Sequence, residues 1–183
     1  MRSMTFLVND RTAGDRPSPA VAVTITENAD GTLTFSIRQL GPVSGDLRGF
    51  FFDVANESLI GTLSVAPTAG LTEFRQGNDS VKDLGNGANM QGLLGSDGGY
   101  DGGVEIGKAG TGHGDNYESF SFTLRSSARA LTLDDFANVD IGVRVNSVDG
   151  GWFCGDRDGE SKLLETTGKA YDAKDDAGAV TED

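Results

Sequence analysis

The stretch VDIGVRVNSV, residues 139–148, decides the fold class. Val139, Ile141, Val143 and Val145 alternate with Asp140, Gly142, Arg144 and Asn146, the period-two pattern of a β-strand with one buried and one wet face. The same pattern recurs on both sides of it. VAVTITE and TLTFSIR flank an NADG turn and read as a hairpin, with Gly31 placed for the left-handed position. In YESFSFTLR, Phe120, Phe122 and Leu124 point inward between hydroxyl residues. LRGFFFDV carries phenylalanine on both faces and reads as a central strand covered on both sides. ESLIGTLSV and GVEIG read as further strands, and LTEFRQGNDSVKDL as a short strand or an irregular crossing. LTLDDFAN predicts one helical turn with Thr132 as its N-cap. The expected fold is all-β: a two-sheet antiparallel β-sandwich, jelly-roll-like, with long glycine- and aspartate-rich loops, a helix-free barrel being its nearest rival.

The 183 residues suit one domain with a sizeable core. Residues 1–19 read as a lead-in with a possible edge strand, 20–165 as the sandwich, and 166–183 as an acidic tail or linker. Twenty-eight acidic against 15 basic residues give a net charge of -13, which repels nucleic-acid backbones and anionic lipid surfaces. Divalent cations are the natural partners. A single cysteine, Cys154, leaves no intramolecular disulfide. No apolar run is long enough to span a membrane, and MRSMTFLVND lacks a secretory apolar region.

Ca2+ takes six to eight oxygen ligands from carboxylates, carbonyls and water. Asp156, Asp158 and Glu160, with Asp149 just upstream, lie in the glycine-bent DGGWFCGDRDGES and form the first candidate site; Asp97, Asp101, Asp115 and Asn116 form a second, looser one. Trp152, Phe153, Tyr100 and Tyr117 lie in or beside these loops and are the candidate platform for a sugar ring, whose apolar face stacks on aromatics. Nucleophilic catalysis is poorly served, because His113 is the only histidine and Cys154 sits among acids. Glu105 and Glu118 are the conceivable pair for glycoside hydrolysis.

GDLRGFFFDV, LGNGANM, VEIG and GDRDGESKL together resemble a module of the large glycine- and aspartate-rich calcium-binding proteins of Gram-negative bacteria, the RTX or haemolysin-type class. Gly98, Gly99, Tyr100 and Asp101 echo that class's nonapeptide without repeating it. The resemblance implies a secreted or cell-surface, calcium-loaded sandwich embedded in, or cut from, a larger polypeptide with other modules. A looser likeness is to calcium-stabilised jelly-roll carbohydrate-binding modules. The resulting expectation is a non-catalytic, calcium-binding recognition or adhesion module for polysaccharide or a cell-surface glycan, without membrane insertion. The alternatives are a glycan-active hydrolase or lyase and a structural spacer of a large adhesin.

Overall fold

The computed structural model describes residues 1–10, 19–91, 98–108 and 117–148, together with the backbone of 160–167. Ten strands are present among them: β1 Ser3–Asp10, β2 Ala20–Glu27, β3 Leu33–Leu40, β4 Asp46–Phe52, β5 Leu63–Val65, β6 Leu71–Val81, β7 Tyr100–Ile106, β8 Ser119–Ser126, β9 Asp140–Val148 and β10 Glu160–Thr167. They hydrogen-bond in the order β5-β8-β3-β2-β1-β10-β9-β4-β7-β6, every neighbour antiparallel. The seam between β1 and β10 is short, with Asn9 opposite Glu165 and Asp10 opposite Leu164. There the order folds over into two five-stranded sheets that face one another across a common core.

Alternation explains that core. Phe35 of β3 stacks on Phe122 of β8 at 4.9 Å and reaches across to Phe50 of the opposite sheet at 5.7 Å. Phe136 meets Phe35 edge-on at 5.2 Å. Val21, Val23, Ile25, Ile141, Val143 and Val145 complete the interior, all fully buried. Burial of such apolar surface is the main favourable contribution to folding.

The sandwich expectation is met. The hairpin with Gly31 at φ +81° forms as read, and Thr132 precedes a short 3-10 turn, Leu133–Phe136, where its backbone N–H donates to Asp135. The chain opens with an antiparallel meander, β1-β2-β3. The opening residues form a strand, β1, at the edge of its five-stranded sheet beside the short seam to β10, where Phe6 and Val8 fill the core. Other expectations change. Within ESLIGTLSV only Leu63–Val65 is strand, since Asn56 accepts from the N–H of Ser58 and starts a 3-10 turn at Glu57–Leu59. LTEFRQGNDSV is a full 11-residue strand.

The supposed wet face of β9 is covered. Residues 81–90 fold back as a small hairpin and lay Val81, Leu84, Ala88 and Met90 against Phe51 and Tyr100, making a second apolar cluster outside the β4/β7/β9 sheet. Glycine makes the room: a Cβ on Gly142 would stand 2.5 Å from the Tyr100 hydroxyl. At the far ends of the order, β5 and β6 come together through one side chain. Gln76 accepts from the N–H groups of Gly61 and Leu63 and donates to the Leu63 carbonyl. Its amide thus takes the place of a strand partner, and the open side of the sandwich is fastened without backbone pairing.

Candidate functional site

Four strand ends meet at one rim. Asp53 follows β4, Asp79 sits on a bulge of β6, Asp101 lies near the start of β7, and Asp140 opens β9. They line an open cleft of about 300 Å³, with Glu57, Asn138 and the Val54–Ala55 segment completing its wall. Among the described residues no lysine or arginine lines it.

Asp101 organises the site. Only 3% exposed, its Oδ2 accepts from the Val54 N–H at 3.0 Å and its Oδ1 from the Asp79 N–H at 3.0 Å. Its own N–H donates to Asp53 Oδ1 at 3.1 Å. One carboxylate therefore ties β4 to the β6 bulge. That bulge places Asp79 at φ +45°, a left-handed conformation that aspartate tolerates better than most residues. Gly98 and Gly99 allow the close approach behind it, for the Gly99 N–H donates to the Asp79 carbonyl at 2.6 Å.

Burial pushes Asp53 up from 3.8 to about 7. The Asp101 N–H opposes that rise, while the neighbouring charges of Asp101, Asp140 and Asp79 add to it. A cation in the cleft would stabilise the charged form of a carboxyl so placed. The donor set is all oxygen: carboxylates plus the Asn138 amide, the chemistry that suits calcium. Among the described residues no three His, Cys, Asp or Glu side chains stand close enough together to hold a metal ion as they are placed. The acids stand around the cleft with Asp79 on its exposed side.

Of the acids nominated from sequence, Asp101 belongs to this cleft. Asp97, Asp115, Asn116, Asp149, Asp156 and Asp158 lie outside the described residues, as do Trp152, Phe153, His113 and Cys154. Glu160 pairs with Val148 through its backbone at the start of β10. Tyr100 cannot serve as a sugar platform: it is 1% exposed and packs on Phe51 at 5.6 Å beneath the 81–90 hairpin. Tyr117 is half-buried, its ring edge-on to Phe120 at 6.0 Å and packed on the core.

Glu105, read as one of two hydrolytic carboxyls, is 2% exposed, and its Oε2 accepts from the Thr72 hydroxyl. Glu118 is exposed. A sealed carboxyl and an open one do not flank one glycosidic bond. Asp53, Asp79 and Asp140 were not singled out in the sequence. Their only local signal is an acid beside a strand end, with asparagine next to Asp79 and two residues before Asp140. No protein family, curated protein or solved structure compared with the chain matches it.

Proposed function

We propose that this chain is a non-catalytic, calcium-binding recognition or adhesion module, with the cation held at the cleft of Asp53, Asp79, Asp101 and Asp140. The observation that carries the reading is the convergence of four acids from four separate strands on a cleft that no described basic residue lines. Asp101 is the positioning member, since both its oxygens are engaged by backbone N–H groups. Asp53, Asp79 and Asp140 would supply carboxylate oxygens, with the Asn138 amide beside them. A bound cation would join β4, β6, β7 and β9 at one end and stabilise the sandwich there. Secretion or surface display, and membership of a larger polypeptide, follow from the RTX-type resemblance and belong to the same proposal. So does polysaccharide as the partner.

Melting in calcium against melting in chelator tests the metal. Calcium at a hundredfold excess over its Kd adds about 2.7 kcal/mol. For a domain of this size that raises the melting temperature by roughly 5–10 °C. Superimposable curves would remove calcium from the account.

A further inference from the structure

The outer face of the sheet formed by β1, β2, β3 and β8 carries an unusual set of side chains. In register across the four strands stand Thr5, Thr24, Ser36 and Ser121. Two residues along each strand, Ser3, Thr26, Thr34 and Thr123 form a second row. All eight are partly or fully exposed, and none is charged, in a chain of net charge -13. The liking of threonine for strands explains single positions. It does not explain why lysine, glutamate and arginine are missing from eight adjoining sites on a wet face.

The hydroxyls are partly organised already. Thr5 and Thr24 share a hydrogen bond at 2.9 Å, Ser36 and Ser121 approach at 3.4 Å, and the Ser121 hydroxyl donates to the Phe35 carbonyl at 2.9 Å. Each hydroxyl has one donor and two acceptor positions, so these contacts hold rotamers while leaving capacity for another molecule. Side chains held in advance lose less entropy on binding. Beside the Thr5 row runs a third, Leu7, Ala22, Arg38 and Ser119, in which Ala22 and the 45% exposed Leu7 form a short apolar strip that ends at the exposed Arg38.

We propose that this face binds a neutral polysaccharide lying across the strands. Its C–H surfaces rest on Leu7, Ala22 and the threonine methyls, and its hydroxyls meet the two rows. The strand spacing of about 4.8 Å is comparable with the length of one pyranose, so successive strands can meet successive sugars. The partner is neutral because the acidic chain repels anionic glycans, while Arg38 and Arg125 stand only at the margin of the rows. The inference rests on the recognition reading above and moves the contact from the Trp152 loop to the sheet.

Affinity electrophoresis of the full chain through β-glucan, xylan, mannan and alginate tests it. The expected result is retardation by at least one neutral polymer and none by alginate. The triple variant Thr5→Val, Thr24→Val and Thr34→Val keeps the β-branched shapes and should bind at least about tenfold more weakly, the equivalent of one or two net hydrogen bonds. Ser36→Glu, at an exposed position, should weaken binding in the same sense with an unchanged melting temperature. Undiminished retardation of both variants would overturn the sheet face; if Trp152→Ala then abolished it, the recognition reading would survive without that face. Failure of every neutral polymer to retard the native chain would overturn both, leaving the calcium effect on melting as a separate result.

Discussion

Asp135 and Asp53 lie near one another in the fold, joined through the Ala55 N–H, which donates to the Asp135 carbonyl at 2.8 Å two residues beyond Asp53. Their carboxyls have opposite surroundings. Burial acts to raise Asp135, but the Arg129 guanidinium grips both its oxygens, the Thr132 N–H donates at 2.9 Å, and the net effect holds it below its ordinary value. Asp53 has three acidic neighbours and, among the described residues, no such guanidinium, and burial pushes it up to about 7. The difference teaches that a carboxyl's state follows from whether a base is within reach: Arg129 lies six residues from Asp135, and no described basic residue lines the cleft at Asp53.

The largest effect expected from breaking the contrast comes at Asp53 and Asp79. Changing both to Asn should remove the calcium increment of about 2.7 kcal/mol, read by calorimetric titration and by melting, whereas Asp134→Asn, on the exposed turn, should leave it intact. Equal losses from both changes would mean that net charge, not a site, attracts the ion.

Next comes Arg129→Met, which leaves Asp135 buried without its guanidinium. It should cost about 2 kcal/mol in urea unfolding, less than for a fully buried pair because Arg129 is partly exposed. No loss would show that the backbone N–H alone stabilises the carboxylate.

The smallest effect is the pH dependence without metal. Asp53 binds its proton more tightly folded, at about 7, than at its ordinary 3.8, so the native state holds the extra proton between those values. Stability contributed there is present at low pH and lost as pH rises towards about 7. Asp135, held low, contributes stability above its ordinary value that is lost as pH falls through its folded value. Chelated protein should therefore lose on the order of 1 kcal/mol between pH about 4 and 7, after solvent screening at the half-exposed Asp53 is allowed for, and Asp53→Asn should flatten that slope. A slope unchanged by Asp53→Asn would place the titrating group elsewhere.

Much of the fold was legible because strand alternation is local. Phe120, Phe122 and Leu124, or Val21, Val23 and Ile25, declare their face within a single strand. The misreadings at β9 and β7 share one cause: cover supplied by distant residues. Gly142 occupies an outward position of β9, yet Tyr100 and Met90 lie over it. Glu105 occupies the outward alternation of β7 and is sealed inside. Clustered acids in loops are the signal for a metal that a sequence can show; Asp156 and Asp158 lie outside the described residues, and the single acids at four strand ends carry no such local signal.

The sequence by itself determined the all-β class, the hairpin at Gly31, the phenylalanine core and the acidic character. Each of these depends on neighbours within a few residues or on composition. Only the tertiary structure decided that Asp53, Asp79, Asp101 and Asp140 share a cleft, and that eight hydroxyls form two rows. Positions 53, 79, 101 and 140 become neighbours through strand order and register, set by how the two sheets bury their common core. A carboxylate's pKa and a hydroxyl's row depend on what crosses the sheet beside it, and no local pattern carries that information.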